Sequence, residues 1–256
     1  MPAVYRKRRA GGKQKLDAAG ARGILPPSFK PYSKHPTQFS HPPMTSSLHR
    51  VFRVGLTGGI AAGKSAVAEL WRAKGAVVID SDALAHEALA PGTPTHEAVV
   101  KEFGAGVVNA DGSINRAALG EIVFRNEERR LVLNGLVHPA VRQKRQEIFA
   151  ELERGGADAV AVAVIPLLYE VGEEKEFDCV ATVACSAATQ LARLAAKGLS
   201  EPQARARIAS QWPLAKKMDR ADYVIWNDGS RQTLAQQADT IWNNIKETCH
   251  AARPTK

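Results

Sequence analysis

The strongest constraint in the chain is the octapeptide Gly58-Gly59-Ile60-Ala61-Ala62-Gly63-Lys64-Ser65, which has the spacing G-x-x-x-x-G-K-S. Before it, Val51-Phe52-Arg53-Val54-Gly55-Leu56-Thr57 is a short β-rich run that reads as a buried strand. After it, Val67, Leu70 and Trp71 fall on one helical face, so a helix is expected to open at Lys64. A strand that enters a helix through a glycine-rich turn builds an anion site: the glycines let successive N–H groups point into one concavity, and the helix adds the positive end of its dipole. Gly58, Gly59, Ala61, Ala62, Gly63, Lys64, Ser65 and Ala66 are thus the candidate nucleotide-phosphate residues. Lys64 is expected to reach the β- and γ-phosphates, and the Ser65 hydroxyl to ligate Mg²⁺. The motif leaves open whether the nucleotide is hydrolysed, transferred or sensed.

A second strand is expected over Gly75–Asp82, ending in two carboxylates, Asp80 and Asp82. In an open parallel sheet ligands lie beyond the carboxyl ends of the strands, so these acids belong on the same edge as the phosphate loop. There a carboxylate can hold a metal through water or take a proton from an attacking hydroxyl. Equally, Ser81 or Asp82 can cap the helical run Ala83–Leu89. The third expected strand, Ala159–Ile165, ends in Pro166 rather than in the acid a motor or switch ATPase places there, which favours a small-molecule kinase. Strands over Asp178–Ala184 and Asp222–Trp226 complete a five-stranded parallel α/β sheet with right-handed crossovers. About 75 mostly helical residues separate the second and third strands, too many for a simple crossover. They are read as an inserted acceptor-substrate region, about 83–155. The cation-rich stretch 187–217 follows the fourth strand, where a mobile helical lid is expected. Arg193 is read there as functional, and Arg205 and Arg207 as a solvated helix face.

The 256 residues carry a formal net charge of +9, but the excess is local. Residues 1–50 hold ten Lys/Arg against the single acid Asp17, and the remaining 206 residues are balanced. The same fifty residues contain seven of the fourteen prolines and no apolar period, so they are expected to be disordered, with 51–256 forming the folded domain. They read as a basic arm for an anionic partner, a targeting peptide, or a passive tail ahead of an alternative start at Met44. Three cysteines without ligand spacing fit a reducing, cytoplasmic setting, and no apolar run is long enough to suggest a membrane span.

From Val51 to about Ile245 the ordered motifs resemble the dephospho-coenzyme A kinase family. The resemblance rests on Gly55–Ile60 with Gly63-Lys64-Ser65; on Val78–Asp82 with Ala85-His86; and on Leu136-Val137-His138-Pro139. It continues through Ile165–Glu170 and Gln190–Leu194, then Gln211, Pro213 and Lys217, and finally Ala221–Ile225 with Asn227 and Gly229. It implies a P-loop three-layer fold and transfer of a phosphoryl group from ATP, with Mg²⁺, to the ribose 3′-hydroxyl of dephospho-CoA. The alternatives are another small-acceptor kinase, of the nucleoside monophosphate or shikimate type, or a non-enzymatic nucleotide sensor that binds nucleic acid through the basic arm. The resemblance further implies Asp82 as base, Asp80 supporting the metal region, Arg193 reaching the phosphates, and Asn227 near the donor adenine. His138, Pro166, Leu167, Leu168 and Glu170 would line the acceptor side. His138-Pro139 also reads as a helix start, with Pro near N1. No nucleic acid or membrane partner is required, and a monomer or weak oligomer is expected. The chain departs from the family pattern at Ala66, at Lys197, in the short Gly198-Leu199-Ser200 turn, and at Trp226, which is expected to pack or to stack on a base.

Overall fold

A computed structural model describes residues 5–6, 51–155 and 159–251. Five strands are parallel: β2 (Phe52–Gly58), β3 (Val77–Asp80), β4 (Val160–Val164), β5 (Cys179–Ala184) and β6 (Tyr223–Trp226). Their order across the sheet is β3-β4-β2-β5-β6. Successive strands are laid first to one side of β2 and then to the other, so the connections diverge at the carboxyl end of β2 and leave a crevice there. The register aligns the tips. Leu56 pairs with Val164, and Val164 with Asp80, so the loop after β2, the Asp80 segment and Pro166 leave the sheet at one edge.

A sixth strand, β1 (Tyr5–Arg6), pairs antiparallel with β6. The expectation of an unordered arm over 1–50 does not hold for these two residues. β6 would otherwise be an edge, and an extended dipeptide satisfies some of its backbone groups. The rest of that arm, 1–4 and 7–50, including Met44, lies outside the described residues.

Two helices cover one face of the sheet, α1 (Lys64–Arg72) and α9 (Arg231–Ala251). Their core meets Val54, Leu56, Val160, Val162 and Val164, the strand residues that point to that side. Trp71 is fully buried at its centre; its indole N–H donates to the Ala238 carbonyl at 2.9 Å, and its ring lies 5.9 Å from that of Trp242. The opposite face carries Ala161, Ala163 and Val180 beneath α2 (Ser81–Ala88) and α5 (Glu127–Arg154). Gly55 also lies on this face, where a Cβ would stand 2.7 Å from Leu168 Cδ1.

The inserted region builds its own small core from Val99, Val107, Ile114 and Leu119, on α3 (Pro94–Phe103), α4 (Arg116–Arg125) and the turn between them. The 28-residue α5 runs from this core to the sheet, roughly 42 Å at helical rise. Pro139 lies in its interior, not near a helix start. Packing against two cores at once offsets the lost hydrogen bond and ring clash that would break a free helix. After β5 come α6 (Ala187–Ala195), α7 (Glu201–Ala209) and α8 (Leu214–Arg220). Ser200 caps α7 reciprocally with Gln203, which closes the short turn after Gly198.

Trp71→Ala empties the middle of the α1/α9 layer and removes the indole hydrogen bond to the Ala238 carbonyl. It is expected to cost about 3–5 kcal/mol, read as a lowered urea midpoint.

Candidate active site

The phosphate loop holds an unusual backbone path. Ala61 has φ 57° and Gly63 φ 103°, and a Cβ on Gly63 would lie 2.2 Å from the Asn227 amide nitrogen. Such a path persists only where neighbours over-determine it, and four side chains do so. Gln190 donates to the Ile60 carbonyl at 2.8 Å, and the Ile60 N–H donates to Gln211 Oε1 at 2.9 Å. Asn227 donates to the Ala62 carbonyl at 2.8 Å. Arg193 donates to the carbonyls of Ala61, Ala62 and Asn227 at 3.1, 3.2 and 2.9 Å. Gln190, Asn227 and Arg193 take up loop carbonyls, Gln211 takes up the Ile60 amide, and the Ala62 N–H donates to the Gly59 carbonyl at 3.2 Å.

The helix opens at Lys64, as expected. Lys64 Nζ donates to the carbonyls of Gly58 and Gly59 at 3.2 and 3.0 Å. Burial, and next to it the charge of Lys217, bring its pKa down to about 8, against the pull of Asp82 and Glu170. Asp80, rather than Ser81 or Asp82, is the cap of α2: its Oδ1 accepts the N–H groups of Asp82 and Ala83 at 2.9 and 3.4 Å. Strand β3 ends earlier than the run of β-formers suggests, so capping passes to the last strand residue. Asp82 is thereby left to face the cleft. Its pKa is raised, by burial first and by the neighbouring Asp80 charge second, with Lys64 opposing.

One cleft of about 1140 Å³ joins these parts, ample beside ordinary ligand pockets. Ala61, Gly63, Lys64, Ser65, Ala66, Asp82, Arg193 and Asn227 line it, as do His138, Pro166 and Leu167. Three expected acceptor-side residues stand elsewhere. Leu168 is fully buried in the core under Gly55, because the turn after Pro166 folds it inward. Glu170 points away from the cleft toward the start of α8, accepting the Trp212 N–H at 2.9 Å and pairing with Lys217 at 2.7 Å. Asp80 is engaged in capping. Of the phosphate-loop residues, Gly58 is packed against β5, where a Cβ would meet the Val183 carbonyl at 2.1 Å, and a Cβ on Gly59 would meet Gln190 at 2.6 Å. Ala62 is buried, and its part is to offer its carbonyl to the clamp.

Burial lowers the His138 pKa, with Glu173 opposing. Trp226 does not line the cleft; its backbone exchanges two hydrogen bonds with Gln237. Lys197 lines the cleft, whereas Arg205 is exposed and paired with Glu201 at 2.6 Å, and Arg207 is exposed.

Several residues of the site carry no site role read from the residues themselves. Gln190 and Gln211 enter the sequence reading only within the family resemblance. Ser81 lines the cleft, buried, with no partner for its hydroxyl among the described residues. Arg145, 1% exposed, lines the cleft with Glu173 and pairs with Glu173 and Glu176 at 2.7 and 2.8 Å. Nothing local marks Arg145 among the cations of α5, since both of its acids lie about thirty residues on.

A parallel sheet whose connections diverge at a clamped phosphate loop, with a carboxylate lining the same cleft as that loop, defines a small-molecule kinase of the P-loop class. The dephospho-CoA kinase family profile matches residues 52–233, and the chain belongs to that family. It is 48% identical to the dephospho-CoA kinase of Geobacillus kaustophilus over 76% of this chain and 98% of that protein. It is also 48% identical to that of Symbiobacterium thermophilum, over 74% and 79%. Among solved structures, a Thermus thermophilus protein is 34% identical with a TM-score of 0.66, covering 76% of this chain and 98% of that one. The dephospho-CoA kinase from Campylobacter jejuni is 28% identical with a TM-score of 0.58, covering 77% and 98%.

Gly63→Ala forces a side chain into both a left-handed backbone and the Asn227 amide. Affinity for a nucleoside diphosphate, followed by isothermal titration, is expected to fall about tenfold or more.

Proposed function

We propose that this chain transfers the γ-phosphoryl group of ATP to the ribose 3′-hydroxyl of dephospho-CoA. The observation that carries the reading is the placement of Asp82 across one cleft from the phosphate loop in a chain of this family. The loop amides and the N-terminus of α1 bind the donor phosphates. Lys64 leaves the carbonyls of Gly58 and Gly59 for the β- and γ-phosphate oxygens. Asp82 accepts the proton of the 3′-hydroxyl as its oxygen attacks the γ-phosphorus, and the bond to the β–γ bridging oxygen breaks to release ADP. The raised pKa of Asp82 suits a proton acceptor. Arg193 holds the loop and presents its guanidinium to the phosphates, and Asn227 borders the donor base. The acceptor lies along His138, Pro166 and Leu167.

Mg²⁺ fits the site. No group of three or more acidic, His or Cys side chains that could cage a metal occurs among the described residues, while Ser65 and Asp82 share the cleft. Magnesium is commonly held by one or two protein oxygens together with substrate phosphates. Ser65 would ligate it directly and Asp82 through water. When bound, it would neutralise charge developing on the phosphates.

We read residues 83–155 as the acceptor region, 187–217 as a lid, and the working protein as a cytoplasmic monomer or weak oligomer that needs no nucleic acid. Among the described residues no helix is long and apolar enough to cross a membrane, and no disulfide joins Cys179, Cys185 or Cys249.

The test is ADP release with dephospho-CoA, nucleoside monophosphates and shikimate as competing acceptors. Dephospho-CoA is expected to be preferred by orders of magnitude in kcat/KM, and preference for another acceptor would refute the reading. Lys64→Ala and Asp82→Asn are each expected to lower kcat by about 10²–10⁴-fold while the thermal midpoint changes little. Near-normal turnover in Asp82→Asn would remove it as the base.

A further inference from the structure

Two lysines lie at the base of the phosphate loop, and only one of them faces the cleft. Lys217, on α8, is 0% exposed. Its Nζ lies 2.7 Å from Glu170 Oε1 and donates to the Pro166 carbonyl at 2.8 Å. The same Pro166 carbonyl accepts from Thr57 Oγ1 at 3.3 Å, and the residue after Thr57 offers its carbonyl to Lys64 Nζ at 3.2 Å. A short relay of contacts therefore connects Lys217, through the tips of the adjacent strands β4 and β2, to Lys64. The charges of Lys217 and Glu170 are both felt at Lys64.

Glu170 is the hazard in this arrangement. It is needed structurally, since its Oε1 accepts the N–H of Trp212 and so fixes the start of α8. Its Oε2 is buried with no hydrogen-bond partner among the described residues. A buried carboxylate in that condition attracts a neighbouring ammonium, and Lys64 is one whose charge feels Glu170. With Lys217 in place the carboxylate already has its counterion.

We propose that Lys217 is a positioning residue which neutralises Glu170 and so keeps Lys64 available to the nucleotide phosphates. This rests on the phosphate-binding role of Lys64 given above. Lys217 acts only through Glu170 and Lys64. The Lys217–Glu170 pair also couples the two halves of the reaction site, because Glu170 terminates the segment whose Pro166 and Leu167 line the acceptor side, while α8 begins next to Gln211, which holds Ile60.

The experiment compares Lys217→Met with the double variant Glu170→Gln/Lys217→Met in the full chain. Glu170→Gln keeps an oxygen that accepts the Trp212 N–H but removes the charge, so the double variant loses the lure together with its guard. Steady-state kinetics, ADP affinity by titration calorimetry and thermal midpoint are read for both. Lys217→Met is expected to lower kcat roughly a hundredfold and to weaken ADP, with KM for dephospho-CoA little altered. The double variant is expected to recover kcat and ADP affinity to within about tenfold of the parent. A purely structural strut would lower the thermal midpoint and kcat together in Lys217→Met, whereas the positioning role lowers kcat and ADP affinity while the midpoint and the KM for dephospho-CoA hold.

Three results would overturn the proposal: a folded Lys217→Met with parental kcat and ADP affinity, a folded double variant as impaired as the single one, or loss of folding in both. If the single variant alone fails to fold, the kinetics of the double variant decide. Lys64→Ala separates this failure from failure of the underlying reading. Full turnover there would refute the role of Lys64 itself, whereas an inactive Lys64→Ala beside an unaffected Lys217→Met would refute Lys217 alone.

Discussion

The structure depends on the bracing of one loop of backbone. Between β2 and α1 the chain passes through conformations that ordinary residues avoid, including a non-glycine at φ 57°. Alone, that path would relax. Gln190 and Arg193 from α6, Gln211 from the segment before α8, and Asn227 from the end of β6 each hydrogen-bond to it. Because the bracing residues come from segments separated from the loop by more than a hundred positions, the phosphate nest exists only once β5 and β6 have docked beside β2.

The layers around the sheet divide the labour. The α1/α9 face is a tight apolar layer centred on Trp71 and Trp242, which fixes the helix that carries Lys64 and Ser65. On the other face small strand residues, Gly55, Ala161 and Ala163, let Leu168 and Phe177 lie close to the sheet. That close approach sets the height of Pro166 and Leu167 at the edge of the cleft. The inserted region keeps a separate core and touches the rest mainly along α2 and α5. Its one long helix can therefore present His138, Val137 and Val141 to the cleft without disturbing the sheet.

Much of the chemistry is legible in the sequence because it is local. Eight consecutive residues specify the phosphate loop, and five β-rich runs mark the parallel strands, with ends within a residue or two. Sequence reading fails where a residue's role depends on a distant partner. The run ending at Asp80 marks a carboxylate pair, but which acid caps α2 depends on where β3 leaves the sheet. Leu168 and Glu170 sit in a motif whose neighbours line the cleft, yet the turn after Pro166 directs one into the core and the other toward Lys217. Pro139 looks like a helix start until α5 is seen packed against two cores. Tyr5–Arg6 carries no sign that it pairs with β6, since two residues are too short to show a period.

By itself, the sequence determined that a strand must deliver the chain into an anion-binding turn followed by a helix, that a five-stranded parallel sheet surrounds it, and that two acids stand at a neighbouring strand tip. These follow from backbone stereochemistry and from the period of apolar residues, which act over a few positions. Tertiary structure alone decided which acid faces the cleft, which cations are spent in ion pairs, and which lysine lines the cleft. Those outcomes depend on desolvation and on charges brought together from across the chain, and they have no value until the layers have closed.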